Sequence, residues 1–181
     1  MSVQRPDLGE ALARADIVHQ RPALDAAISR VAAELSRDLA GSAPVFLTVL
    51  QGGLPFAGQL ALQLSLACEF DYVHATRYRG QTSGGGLIWI ARPRIGLAGR
   101  DVLLVDDILD EGHTLSAIRD WCAGEGARSV RIVVLCEKRH DRVVPGLSAD
   151  YVGVEVPDRY VFGFGMDYYE QGRNLPAIYA I

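Results

Sequence analysis

The residues best able to do chemistry lie together in "VLLVDDILDEGHTL", residues 102–115, where four aliphatic residues are followed by Asp106, Asp107, Asp110 and Glu111, then by Gly112, His113 and Thr114. An apolar strand ending in paired acids and leading through a short loop into a helix start brings these groups to one place. In a parallel α/β sheet, ligands bind beyond the carboxyl ends of the strands, where the next helix aims unpaired amide groups at them. Backbone N–H groups around Glu111 to Thr114, with the Thr114 hydroxyl, can cradle a phosphate, and Gly112 allows the backbone to approach closely. The carboxylates of Asp106 and Asp107 would repel that phosphate, so they must face another part of the ligand. Ribose hydroxyls, as donors, fit them, and a ligand-bound Mg²⁺ is a second use for nearby carboxylates. The motif suggests a sugar phosphate.

"VLLVDD" also opens response-regulator receivers, whose paired acids bind Mg²⁺ beside a phosphorylatable aspartate. There the pair sits close to the domain start. Here 101 residues precede the motif and a phosphate loop follows at once, which disfavours the receiver.

The elements that must position the motif are legible on both sides of it. Residues 22–40 carry Leu24, Ile28, Val31, Leu35 and Leu39 at helical spacing, with Pro22 suited to a first turn and Gly41 to a C-terminal cap. Residues 44–50, "PVFLTVL", read as a strand closed by "QGG", and "LPFAGQLALQLSLA" after it has helical composition. The segments 70–78 and 86–93 flank the polar, glycine-rich "RGQTSGG", which reads as a hairpin loop or as a lid. The pattern then predicts a strand over 102–105, a loop over 106–111, a helix over 112–123 and a strand over 129–138. Continuously apolar strands alternating with helices argue for an α/β fold, a Rossmann-like central parallel sheet with helices on both faces and a small cap formed by the terminal segments. With no repeat or linker, the 181 residues read as one domain, the core over 42–140 and the cap mainly from 1–20 and 150–181.

Composition narrows the function classes. The three cysteines, Cys68, Cys122 and Cys136, form no C-x-x-C pair and sit within apolar runs, so they read as reduced core residues rather than a metal site. The start lacks a basic stretch followed by an apolar core, and no apolar run approaches the ~20 residues of a membrane span, so the sequence predicts a cytoplasmic protein with no membrane partner. A net charge of -4 argues against nucleic-acid binding. Of the 18 basic residues only Lys138 is a lysine, which singles it out.

The motif resembles the phosphoribosyl-diphosphate motif of type I phosphoribosyltransferases: an apolar strand, two acids, two apolar residues, Asp, then a small loop ending Gly-x-Thr. In the tail, "EKR" (137–139), "VGVEVPDRYVFGFGMDY" (152–168) and "RNLP" (173–176) resemble the purine site of hypoxanthine-guanine phosphoribosyltransferases. The matches run in the family's order from residue 45 to the end.

The resemblance implies a role for each matching position. Asp106 and Asp107 would hold the ribose 2′ and 3′ hydroxyls, and Asp110, Glu111, Gly112, His113 and Thr114 would bind the 5′-phosphate. Asp110, at the position of the family's proposed general base, would take or share the purine N7 proton. Lys138 would hydrogen-bond the 6-oxo oxygen, Tyr160 would stack on the ring, and the Val161 backbone would read its edge. Asp167, with Asp106, would bind Mg²⁺, and Arg173 would touch the diphosphate. In the diphosphate loop "LQGG" (50–53), Gln51 stands where relatives commonly have a basic residue, which leaves more of the binding to the amides of Gly52 and Gly53; Leu50–Gln51 is the position of a peptide that can be cis in the family. Arg77 and Tyr78 align with the dipeptide at the base of the family's closing lid, and 79–86 would be that lid. Glu111 and His113 stand where small or polar residues and lysine occur elsewhere, so the Glu111 side chain must point outward.

The activity implied is that of a Mg²⁺-dependent 6-oxopurine phosphoribosyltransferase, which converts hypoxanthine or guanine and phosphoribosyl diphosphate to the nucleoside 5′-monophosphate and diphosphate in purine salvage. A 6-oxo group is an acceptor, and an ammonium that only donates also disfavours the 6-amino group of adenine, which gives the lone lysine its purpose. The resemblance also implies a homodimer or homotetramer. The apolar "LPFAGQLALQL" helix would serve equally as an interface or as core. The alternative is a non-catalytic nucleotide-binding regulatory protein of the same fold, against which the retained Asp110, Lys138 and Asp167 speak.

Overall fold

Continuously apolar strands need cover on both faces, and the chain supplies it with helices from both sides. The computed structural model describes residues 5–77 and 87–181. In order these form α1 (Leu8–Arg14), β1 (Asp16–His19), α2 (Arg21–Asp38), β2 (Val45–Leu50), α3 (Leu54–Ala61), β3 (Glu69–Arg77), β4 (Leu87–Ala91), β5 (Asp101–Leu109), α4 (His113–Gly124), β6 (Ser129–Lys138), β7 (Tyr151–Val156), β8 (Val161–Phe162) and β9 (Ile178–Ala180). Six strands make the central sheet in the order β4-β3-β2-β5-β6-β7. All its pairings are parallel except β3 with β4.

Alternation along the strands divides the core between the two faces. Phe46, Leu103, Val105, Val133 and Leu135 pack with α2 and α3 on one side, through Leu24, Ile28, Val31, Leu35, Phe56 and Leu60. On the other side Val45, Leu47, Val49, Leu104, Ile132 and Val134 pack with Leu115, Ile118 and Cys122 of α4. A second, antiparallel sheet, β1-β9-β8, joins the two ends of the chain. Its Val161, Ile178 and Ala180 belong to the first core, which fixes the terminal segments against the sheet. The described residues include no helix long and apolar enough to cross a membrane.

Three expectations need correction. First, β5 runs to Leu109, so Asp106 and Asp107 lie inside the strand and not in a loop. Backbone pairing with β6 continues through Asp106↔Val134 and Leu109↔Glu137 whatever the side chains are, so polarity there marks a ligand cavity and not the strand's end. Second, α3 stops at Ala61 although the apolar run continues; Leu64 and Leu66 still pack on the core from irregular chain, and Leu62 is 91% exposed. The core side of this helix is Phe56, Ala57 and Leu60. Third, residues 151–156, expected in the cap, are β7 and extend the central sheet beside β6. The antiparallel β3–β4 pair agrees with the hairpin reading, while Tyr78 and the 79–86 segment lie outside the described residues.

Asp101, at the start of β5, ties the sheet's entry edge to β6. It accepts hydrogen bonds from Arg128 and from the Ser129 hydroxyl, which bring its pKa down to about 2. A carboxylate whose folded pKa is depressed contributes stability above its unfolded pKa and loses it as pH falls through the folded one. Asp101→Asn is therefore expected to lower stability in urea unfolding at neutral pH, with the gap to the native protein closing as the pH is brought down to about 2. A gap independent of pH would contradict this role.

Candidate functional site

Among the cavities that the described residues form at the carboxyl ends of the strands, two hold the expected site residues of β5 and β6. The first, about 380 Å³, is lined by Gln51, Gly52, Asp106, Asp107, the segment Asp110 to Leu115 and Arg173. The second, about 340 Å³, is lined by Asp107, Ile108, Asp110, Lys138, Tyr160, Val161, Met166 and Asp167. Asp107, Ile108 and Asp110 line both, so Asp110 stands where the two compartments meet.

Asp106 and Asp107 are each only 8% exposed. Burial, together with the charge of Asp107, pushes the Asp106 pKa well up, and burial raises Asp107 as well, partly opposed by Arg173. Two adjacent buried carboxylates favour a ligand that donates hydrogen bonds or carries positive charge.

The loop that follows is shaped for an anion. Gly112 precedes α4 with φ of 80° and offers no side-chain cap, which leaves the first amides of the helix without that partner. That φ is one L side chains rarely adopt, which favours glycine here, and a Cβ would also meet the Leu147 side chain at 2.3 Å. Glu111 and His113, 3.5 Å apart and each about half exposed, both line the first cavity.

Across the first cavity the Leu50–Gln51 peptide is cis. Gln51 is exposed, and the Gly53 N–H donates to the Val49 carbonyl at 3.0 Å. That amide is thus committed within the chain, a correction to the expectation that it binds diphosphate. Arg173 also lines the cavity; it donates to the Gly165 carbonyl at 2.7 Å and pairs with Asp167 at 2.8 Å. Gly165 has φ of 107°, and a Cβ there would lie 2.2 Å from the Gly52 carbonyl oxygen. Gly165→Ala should therefore lower the thermal unfolding midpoint, by roughly 2 kcal/mol or about 4–8 °C. Gly58→Ala, in α3 with open space around it, should leave the midpoint unchanged or raised. Equal midpoints for the two variants would contradict the clash.

The second cavity brings together the residues expected at the purine. Across the β5–β6 ladder Leu109 pairs with Glu137, so Asp110 and Lys138 follow side by side, with Nζ 2.5 Å from Oδ2. His140 Nε2 lies 2.6 Å from the other oxygen, Oδ1. Burial opposes the charged form of Asp110, but hydrogen bonds from Lys138 and His140 outweigh it and hold the carboxyl below its usual range. Tyr160 is 44% exposed, so it is a wall of the cavity and not part of the core; its ring stacks on Tyr169 and meets Tyr168 edge-on.

Sequence reading missed His140. Its available signal is strand alternation, which puts residues two apart on one side, and Arg139 N–H bonding to the Val156 carbonyl keeps the chain extended past Lys138. Of the residues expected at the site, Tyr78 lies outside the described residues, and Arg77 closes β3.

Known proteins resemble this chain over most of its length. A family model described as phosphoribosyl transferase domain matches residues 14–171. A hypoxanthine-guanine phosphoribosyltransferase of Streptococcus pneumoniae is 37% identical over 153 residues, 84% of each chain, and one of Streptococcus mutans is 38% identical over 147 residues, 81% of each. Among solved structures, a hypoxanthine phosphoribosyltransferase of Staphylococcus aureus superposes with a TM-score of 0.87 at 27% identity, covering 97% of this chain and 96% of the other.

Proposed function

The chain belongs to the phosphoribosyl transferase family, and from that premise we propose that it is a 6-oxopurine phosphoribosyltransferase of purine salvage, one domain over its 181 residues. It joins hypoxanthine or guanine to phosphoribosyl diphosphate, releasing diphosphate and forming IMP or GMP. The observation that carries this reading is Asp110 at the wall shared by a cavity with a phosphate-type loop and a cavity with a lysine donor and an aromatic face.

In this reading the ribose hydroxyls donate to Asp106 and Asp107, and the segment Asp110 to Thr114 receives the 5′-phosphate. As the diphosphate leaves the anomeric carbon, positive charge grows on the ribose, and the two buried carboxylates are placed to stabilise it. Arg173 draws charge from the diphosphate, with Gln51 and Gly52 across the cavity. Tyr160 orients the purine by stacking, the Val161 backbone reads its edge, and Lys138 donates to the 6-oxo oxygen. Asp110 takes the N7 proton.

Mg²⁺ suits this donor set as an ion carried by the diphosphate. The described residues hold no cluster of three or more His, Cys, Asp or Glu that could bind a metal, whereas Mg²⁺ is commonly held by one or two carboxylates together with substrate phosphates. Asp106 and Asp167 would be those carboxylates, and the ion would supply neutralisation of the leaving diphosphate. A cytoplasmic location and a homodimer or homotetramer belong to the same reading. Its test is formation of the nucleoside 5′-monophosphate from phosphoribosyl diphosphate and hypoxanthine or guanine, abolished by a chelator and restored by excess Mg²⁺. Absence of product in folded protein would refute it.

A further inference from the structure

Asp110 is held at both carboxylate oxygens, and only one of its two holders lines the purine cavity. Lys138 meets Oδ2 from within that lining. The His140 side chain, 2% exposed and outside the lining, meets Oδ1 at 2.6 Å. The backbone N–H of Arg142 donates to His140 Nδ1 at 3.1 Å. Nδ1 is thus an acceptor, the ring proton sits on Nε2, and the ring is a neutral donor to Asp110.

We propose that His140 is a positioning residue: its Nε2–H holds Asp110 Oδ1, and so keeps Oδ2 aimed at the purine after Lys138 has left that oxygen for the 6-oxo group. This rests on the roles proposed above for Asp110 and Lys138. The Lys138 ammonium has three N–H donors, but a lysine drawn towards the purine oxygen is a looser hold on Oδ2, the oxygen that must accept the proton. With His140 in place, Asp110 loses one donor on purine binding but keeps its orientation. A neutral donor also leaves the carboxylate more basic than a second fixed cation would. In the reaction the purine N9–C1′ bond forms and the C1′–oxygen bond to diphosphate breaks. The N7 proton passes to Asp110 Oδ2, its bonding pair stays on the ring, and the proton then leaves to water.

The charged groups around the imidazole are Asp110, Lys138 on β6, and Arg142, which pairs with Asp158 beyond β7. The test compares His140→Ala with His140→Gln, whose amide can reach the Nε2 position and donate. The alanine variant should lose about tenfold in kcat, the worth of a single hydrogen bond, with KM for phosphoribosyl diphosphate within about twofold of the native value. Because the lost donor favoured the ionised carboxylate, the acid limb of kcat/KM should move to higher pH. The glutamine variant should recover most of both effects. An alanine variant with native kcat and native acid limb, or a glutamine variant no better than alanine, would overturn the proposal. Native protein without turnover in the same assay would instead overturn the reading on which it rests.

Discussion

Asp110→Asn is expected to lower kcat about 100-fold or more while leaving the fold intact, since positioned general bases contribute on the order of 10²–10⁴. The residue's position separates chemistry from stability. Its side chain is 42% exposed and contributes to no core, so the substitution opens no cavity. Asparagine keeps an oxygen able to accept from Lys138 or His140 but cannot take the N7 proton. Steady-state kinetics should show the loss in kcat, with KM for phosphoribosyl diphosphate little changed. The pH profile gives an independent check. Hydrogen bonds from Lys138 and His140, outweighing burial, hold the carboxyl below its usual range, so it stays ionised, and able to act as a base, well into acid. Asp110's contribution should be lost as pH falls through that depressed value, at lower pH than the loss carried by Asp106 and Asp107, whose pKa values burial raises, and the Asn variant should keep the Asp106 and Asp107 limb while lacking the lower one. Near-native turnover in Asp110→Asn would remove the residue from the base role.

The second large effect is on selectivity. Lys138→Gln should reduce the preference for 6-oxo over 6-amino purines about 10- to 100-fold, the worth of a charge-assisted hydrogen bond. An ammonium only donates, whereas a glutamine amide can also present its oxygen to the 6-amino group of adenine. Lys138 is 11% exposed and its ammonium donates to Asp110, so the variant also removes one of the two donors holding the base. Its acid limb should consequently rise towards the ordinary carboxylate range. The comparison is of kcat/KM for hypoxanthine and adenine in each protein. Unchanged discrimination would refute the assignment of the 6-oxo contact.

The strand at 129–138 was legible at both ends, because ten residues of mostly apolar chain are bounded by polar loops. Residues 22–40 became α2 at Arg21–Asp38, as their helical spacing required. The acids at Asp106 and Asp107 misled the reading of β5, since polar side chains within a strand imitate its end when the cavity they face is unseen. Likewise, the terminal segment hid β7, whose pairing with β6 is a long-range contact that local pattern does not carry. At the site, Asp110 and Lys138 could each be named from sequence, but not their contact, which depends on strand register. His140 escaped for the same reason: a lone histidine past a strand end signals little until Asp110 is seen opposite it. The Gly53 amide was assigned to ligand because sequence cannot show that Val49 already accepts from it.

The most direct measurement is diphosphate release from phosphoribosyl diphosphate and Mg²⁺ with hypoxanthine, guanine, xanthine and adenine supplied separately. Turnover with one or more of the 6-oxo bases and none with adenine is the predicted result. Turnover with adenine alone, or with no base in folded protein that binds phosphoribosyl diphosphate, would contradict the central claim, and the latter would point to a regulatory protein of the same fold.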